Sequence, residues 1–218
     1  SCLFFLLLFG LQQNAYSQSR IYGEMTLETN YVDKGLSQSE QKPAFETGLG
    51  YMFNSQGRIG FQAASVSYAN ESVNLEMRLL GEYRFIFNSS FDLRVREDIT
   101  NYSASGQRNN MIMTFDFGAY GYHTLISQEN NFEGTKTQRT WLGFHKDWLM
   151  GGGTVGTTAG YSLINTSSGY TSYFDTRLGY TYNFTNTSLS LYNTYNSGAS
   201  QFGGRGDLSF FAAIQVKF

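Results

Sequence analysis

The last residues of the chain, Asp207 to Phe218, constrain it most. Leu208, Phe210, Ala212, Ile214, Val216 and Phe218 fall on one side of an extended strand, and Ser209, Gln215 and Lys217 fall on the other. An all-apolar face that ends on an aromatic carboxy-terminal residue, opposite a polar face, is what the closing strand of a transmembrane β-barrel requires, with lipid outside and water or packed polar groups inside. The remainder of the chain is then expected to consist of further strands of the same kind.

Composition agrees with that demand. The 218 residues suffice for one domain, and a mean hydropathy of −0.32 leaves no long apolar run hidden in the body of the chain. Aromatic residues make up 17%, with 16 Tyr and 19 Phe, while charged residues make up only 15% and there is one proline. Such a mixture suits many strands joined by turns and suits a helical protein badly. A net charge of −2 supplies no basic footprint for nucleic acid.

Residues Cys2 to Gly10 form an apolar run, followed by a polar stretch with small residues at Ala15 and Ser17. This reads as the core and cleavage region of a secretory signal peptide, residues 1–17, cut near Ser17–Gln18 and too short to span a bilayer. The usual positively charged start is missing before it, so the signal is read as truncated at its front. The barrel domain is expected over 18–218. Cys2, the only cysteine, would leave with the signal, so no disulfide, cysteine-ligated metal or cofactor is expected in the mature chain. Because Cys2 does not follow the apolar core, a lipoprotein anchor is not expected either.

Alternating segments recur at a spacing of roughly 10 to 20 residues. They predict twelve strands, near 20–31, 45–53, 58–68, 74–85, 91–102, 110–117, 120–129, 139–149, 154–164, 173–184, 187–197 and 207–218. The breaks alternate in length. Asn54 to Gly57, Phe87 to Ser90, Gly118–Ala119, Met150 to Gly153 and Thr185–Asn186 are short, whereas Val32 to Ala44, Asn130 to Gln138, Asn165 to Ser172 and Gly198 to Gly206 are longer and polar. An even strand number with short periplasmic turns and longer outer loops is the rule for bacterial outer-membrane barrels, and it places both termini in the periplasm. Aromatic residues near strand ends, including Tyr31, Tyr51, Phe53, Tyr83, Phe85, Trp148, Tyr182 and Phe184, are expected in interfacial girdles. A soluble β-sandwich also alternates, but the signal segment, Phe218 and the loop asymmetry together favour the barrel.

The stretch Tyr31 to Tyr51 resembles the most distinctive segment of the TorF-type porin family. In that family a strand tyrosine is followed by a basic residue and glycine, a Ser-Gln pair, a Pro-Ala pair and a glycine-bearing second strand. Here these are Tyr31, Lys34–Gly35, Ser37–Gln38, Pro43–Ala44 and Gly48 to Tyr51. Lys34 stands where the family commonly has arginine, and Asp33 where it often has an aromatic. Elsewhere the resemblance rests on length, strand count and the aromatic terminus. It implies a small outer-membrane barrel of porin type and little about substrate. In physical terms Gly35 allows a positive φ, and Pro43 fixes the approach to the second strand. A loop packed on the barrel mouth and a gating loop with Lys34 at the entrance are both compatible with these residues.

Inward positions carry the charge. Glu24, Glu28, Glu76, Arg78, Glu82, Arg84, Asp92, Arg94, Arg96, Asp98, Asp116, Asp175 and Arg177 are the expected lumen-lining residues. A turn centred near Asn88 would set Arg84 opposite Asp92, Glu82 opposite Arg94 and Arg78 opposite Asp98, leaving Arg96 and Glu76 without mates on that hairpin. Facing charged ladders would favour small polar or charged solutes, and a salt-bridged plug would carry nothing. Twelve strands lie between an eight-stranded interior that side chains fill and a sixteen-stranded aqueous channel. Glu97 falls with Val95 and Ile99 on the lipid side, where a carboxylate is costly unless covered. With the weakly apolar Thr157, Ala159 and Thr176 it suggests a homo-oligomer using part of the wall.

A lipid-hydrolysing enzyme would need a nucleophile beside a histidine. Only His123 and His145 are available, neither is expected near the outer leaflet, and no nucleophile motif is present, so catalysis is not expected; two histidines without cysteine also make a poor metal site. Arg205-Gly206-Asp207 matches an adhesion tripeptide but reads as a turn before the last strand. The Asn-x-Ser/Thr triplets read as turn composition, and Gly151 to Gly153 as a tight turn without the Lys and helix of a phosphate cradle. The sequence therefore reads as a passive porin-like channel in contact with outer-membrane lipid and small solutes. The alternative is a closed, oligomeric barrel that organises lipid or partners.

Overall fold

The computed structural model describes residues 20–68, 73–103 and 108–218; the segment read as a signal peptide lies outside them. In chain order the strands are β1 (Arg20–Glu28), β2 (Val32–Asp33), β3 (Leu36–Ser37), β4 (Ala44–Met52), β5 (Gly57–Ser65), β6 (Leu75–Ile86) and β7 (Phe91–Tyr102), then β8 (Asn110–Ala119), β9 (Tyr122–Glu129), β10 (Arg139–Met150), β11 (Gly153–Ile164), β12 (Tyr173–Asn183), β13 (Thr187–Asn196) and β14 (Ser209–Lys217). β2 and β3 form a small separate hairpin, and the other twelve strands close a single antiparallel barrel in which each pairs with its chain neighbours. Closure is made by β1, which lies between β4 and β14. The seam runs from Glu28↔Ala213 to Glu24↔Lys217, and the backbone of Phe218 exchanges hydrogen bonds with Gly23 at 2.8 and 3.0 Å. The terminal aromatic residue thus ends the ladder that leaves no open edge for lipid to meet.

The twelve expected strands correspond one for one to the strands of the barrel, with shifts at their ends that have local causes. β1 stops at Glu28, short of Tyr31, because Asn30 turns inward to accept bonds from the Ser37 and Ser39 hydroxyls. β5 stops at Ser65, and Val66, Tyr68 and Val73 pack as a small cluster beyond the barrel end. The turn joining β8 to β9 is Tyr120–Gly121, not Gly118–Ala119; both turn residues have positive φ, 51° and 75°, the pair a tight hairpin favours. Short turns and both described chain ends lie at one end of the barrel, and the long connections lie at the other.

Alternation puts apolar side chains outside. Leu27, Leu49, Leu79, Phe144, Leu178, Leu191 and Ile214 are all exposed on the outer wall, although each would be buried in a soluble core. Exposed Tyr51, Phe87, Tyr120, Trp148, Tyr182 and Phe184 gather near the short turns, and exposed Phe45, Phe174, Tyr195 and Phe210 near the long connections. Tyr31 belongs to neither girdle. It lies inside the mouth, where its hydroxyl accepts a bond from Arg78 at 3.0 Å, because β1 ends before it. Tyr83 is buried and donates to Gln56 at 3.1 Å.

Inside, aromatic residues use glycines as their floor, Tyr22 over Gly50, Tyr192 over Gly179 and, most extensively, Trp141. The indole of Trp141 lies over Gly143 and Gly160, where an added Cβ would collide with the ring, and its Nε1 donates to Asp175 at 2.8 Å. Filling that floor forces the ring to move, and overpacking of this kind costs about 1–3 kcal/mol. Gly160→Ala is therefore expected to lower the urea midpoint of the folded barrel, with a matching change in Trp141 fluorescence; an unchanged midpoint and spectrum would contradict the close approach.

Candidate functional site

The lumen is built from the inward positions of the barrel strands, and on β4 to β8 nearly every inward charge is met by another. Glu82 accepts from Arg58 at 3.0 Å and lies 3.8 Å from Arg94, whose other nitrogen lies 3.7 Å from Asp116. Asp116 in turn contacts His123 at 2.8 Å. Arg96 holds Asp98 through bonds of 2.7 to 3.0 Å, Arg78 holds Glu76 at 2.6 Å, and Arg84 pairs with Asp92. Glu24 accepts from Gln62 and Gln215, and Glu28 is buried beside Glu46.

The β6–β7 register differs from the sequence expectation. Glu82 stands opposite Arg96, Arg84 opposite Arg94, Leu80 opposite Asp98 and Arg78 opposite Thr100. The turn is centred one residue later than Asn88, at Ser89, because the Asn88 side chain accepts the backbone N–H groups of Ser90 and Phe91 and sets the loop. Moving the centre by one moves each partner by two, so the faces are preserved while the opposites change. Arg84 and Asp92, and Arg94 and Glu82, meet as diagonal neighbours. Arg96 and Glu76 find mates two residues along their own strands.

The connection between β1 and β4 supplies the second part of the site. It was expected as a loop, and it contains the β2–β3 hairpin, with Val32 opposite Ser37 and Asp33 opposite Leu36. Lys34 and Gly35 form its two-residue tip with φ of 46° and 76°. That tip points into the barrel. The Lys34 carbonyl accepts from Tyr173 at 3.3 Å, the Gly35 carbonyl accepts from Asn196 at 3.3 Å, and a Cβ on Gly35 would meet Asp175. Although burial raises it, Lys34, Arg139, Arg78 and Arg96 hold the Asp33 carboxyl below its ordinary range. Ser37 donates to Asn30 at 2.6 Å, Gln38 accepts from Tyr68 at 2.6 Å, and Pro43 is exposed just before β4.

The outer connections lock over this hairpin. Leu36, Phe132, Ile164, Tyr173 and Phe202 form one apolar cluster; the Ser37 N–H donates to the Arg205 carbonyl, and the Arg205 side-chain Nε donates back to the Ser37 carbonyl. Arg205 grips Glu133 with two bonds of 2.7 and 3.0 Å, Arg108 adds a third at 3.0 Å, and both guanidinium groups lie on the Tyr68 ring. Arg205 is therefore committed within the protein, not displayed as part of an adhesion tripeptide. Glu133, Arg108, Arg139 and Trp141 were not singled out from the sequence, since a loop carboxylate and a loop arginine carry no periodic signal.

Among the described residues, four cavities can be followed one after another down the interior. The outermost, about 40 Å³, is lined by Tyr31, Asp33, Arg78, Arg108 and Glu133. The next, 230 Å³, shares Asp33, Arg78 and Ile112 with it and adds Glu82, Arg94, Arg96, Asp98 and Asp116. A third, 290 Å³, continues past Asp33 and Lys34 to Trp141, His145, Asp175 and Arg177, and a fourth, 360 Å³, carries His145 and Arg177 on to Asp147, Thr154, Thr181 and Tyr192. Each cavity larger than 200 Å³ could hold several waters, the smallest only a few.

His145 contacts Thr158 at 3.0 Å and Asp147 at 3.2 Å, an order of groups that imitates a catalytic triad. Thr158, however, sits mid-strand between β10 and β12, where ladder pairing consumes the backbone N–H groups that an oxyanion hole would need. Outside the barrel, Thr157, Ala159 and Thr176 adjoin on β11 and β12. Glu97 lies four strands away on β7, roughly 19 Å at about 4.8 Å per strand, opposite Gly81 and Met113, and one carboxylate oxygen is buried without a partner. These four residues do not make one patch.

No family model matches the sequence, and no curated protein matches it at the sequence level. Among solved structures the chain is similar to the KdgM porin in complex with disordered oligogalacturonate, with 13% identity over 92% of this chain and 99% of that one and a TM-score of 0.60. It is likewise similar to the KdgM porin alone (10%, 92% and 99%, TM-score 0.59) and to LpxR from Salmonella typhimurium (12%, 90% and 99%, TM-score 0.53). At these identities the likeness is one of fold, the closed twelve-stranded barrel.

The knot of outer connections has a pH dependence. Burial raises the Glu133 carboxyl, but Arg205 and Arg108 more than offset this and hold it at about 2, against an ordinary 4.5. A depressed folded value means that the contribution is complete above pH 4.5 and lost as pH falls toward 2. Cleavage within 130–138 by an acid protease is expected to rise severalfold between those limits, and Glu133→Gln is expected to show the raised rate already at pH 4.5.

Proposed function

We propose that the chain is a small passive channel of porin type in a bacterial outer membrane, admitting small polar or charged solutes. The observation that carries this reading is the succession of cavities with charged side chains in their walls down the interior, each sharing wall residues with the next. Their lining residues include Arg78, Glu82, Arg94, Arg96, Asp98, Asp116, Asp175 and Arg177, so a permeating solute would meet charge of both signs. The barrel shared with the KdgM porins and the TorF-type resemblance around Lys34–Gly35 support the same class. With short turns at one end and long connections at the other, the orientation usual for such barrels puts both termini in the periplasm. The β2–β3 hairpin then acts as the constriction, entered from the outer side.

A second reading is a closed barrel that conducts nothing. Its support is the outermost cavity of only about 40 Å³ beneath the interlocked connections.

Single-channel recording of the refolded protein in a planar bilayer separates the two. Discrete steps that scale with salt are expected, and silence from a demonstrably folded barrel would sink the channel. Deleting Ser37 to Lys42 removes half of β3 and the contacts of the hairpin with Asn30, Tyr68 and Arg205, and is expected to raise conductance severalfold; unchanged conductance would exclude the hairpin as the constriction. Neutralising Arg94 and Arg96 together removes two positive charges from the lumen, leaving Asp98 without its ion-pair partner and Glu82 with Arg58 alone, and is expected to shift selectivity toward cations.

A further inference from the structure

We propose that Arg177 anchors a binding site for a small monocarboxylate within the lumen. This names a solute class for the proposed channel and rests on that reading for its physiological meaning. Arg58, Arg78, Arg84, Arg94, Arg96 and Arg139, all on inward positions, each lie within 3.8 Å of a carboxylate. Arg177 has no carboxylate at ion-pair distance among the described residues; Glu28 acts on it only from farther away.

Its surroundings hold it without neutralising it. The guanidinium lies 3.8 Å from the centre of the Tyr192 ring and 5.5 Å from that of Phe211 and shares a side-chain hydrogen bond with Tyr192, so the contacts that hold it are with uncharged groups and do not use all of its five N–H donors. The residues paired with it across the sheet are Thr158 on one side and Thr194 on the other, and the same row continues to His145 and Ser209. This row of hydroxyl and imidazole groups contains no acid, in contrast to the closed acid–base ladder on β6 to β8. Arg177 also lines both of the larger cavities, 290 and 360 Å³, so it borders space large enough for a solute.

The charge of the ligand follows from the same walls. A planar carboxylate matches the two-pronged edge of a guanidinium, and threonine hydroxyls beside it can donate to the same group. Asp33 and Asp175 line the 290 Å³ cavity and Asp147 lines the 360 Å³ cavity. A second negative charge on the solute would approach those carboxylates, so a monoanion is favoured over a dianion.

The test is saturation-transfer NMR on the full barrel folded in detergent, with propionate, its neutral isostere propionamide and the dianion malonate as probes. Propionate is expected to bind, propionamide at least tenfold more weakly, and malonate more weakly than propionate. Arg177→Gln is expected to weaken propionate at least tenfold, whereas Arg58→Gln, which removes the same charge outside these two cavities, is expected to stay within twofold. Equal binding of propionate and propionamide by the unaltered protein would overturn the site, and this comparison decides the matter where a variant does not fold. So would wild-type affinity in Arg177→Gln or tighter binding of malonate. Because binding in detergent needs no conduction, a barrel that binds propionate but carries no current keeps the site and loses the channel. One that conducts and binds no propionate keeps the channel and loses the site.

Discussion

In a hydrocarbon environment an unpaired backbone N–H or C=O costs several kcal/mol, and a sheet can satisfy all of them only by closing. The seam between the first and last strands of the barrel is where that requirement is met. Glu24 to Glu28 pair with Lys217 back to Ala213, and Phe218 finishes the ladder on Gly23. Closure turns one face of every strand outward to lipid and the other inward. The apolar belt, the charged interior and the separation of short from long connections all depend on it.

The interior of a twelve-stranded barrel is wider than its own side chains fill, and this chain deals with the surplus unevenly. On β6 to β8 it places acids and bases within reach of one another, a network in which each charge is stabilised by neighbours of opposite sign. In the middle it folds a hairpin inward from the outer end and fastens it to Tyr173 and Asn196. On β11 to β13 it leaves space, with Thr158, Arg177 and Thr194 side by side. The lumen is thus compensated on one wall and uncompensated on the other.

The outer connections form a second structural unit above the barrel. Their apolar cluster and the Arg205–Glu133–Arg108 contact hold together segments far apart in sequence, and they rest on the hairpin that enters the lumen. A displacement of the hairpin would disturb both, because Leu36 belongs to the cluster and Ser37 is bonded to Arg205. The inward hairpin and its cover are mechanically one element.

How much of this was legible in the chain follows from the range of the interactions involved. Alternation with a period of two is a local property, so Leu208 to Phe218 already declares its faces, and the same holds for the strands before it. A one-residue error in the centre of the Asn88 turn, by contrast, leaves the faces intact and moves every cross-strand partner, so Arg84 was set against Asp92 when its opposite is Arg94. Lys34–Gly35 could be recognised as a turn from the glycine, yet its direction could not, since Tyr173 and Asn196 lie well over a hundred residues away. Glu133 and Arg205 were ordinary loop residues until folding brought them within hydrogen-bond distance. That Arg177 meets a tyrosine and no carboxylate at ion-pair distance among the described residues is likewise a property of the closed barrel, because it depends on what stands around Arg177 in space. Local periodicity decided the architecture and the two faces; only the long-range closure of the sheet and the packing of its loops decided which charges meet.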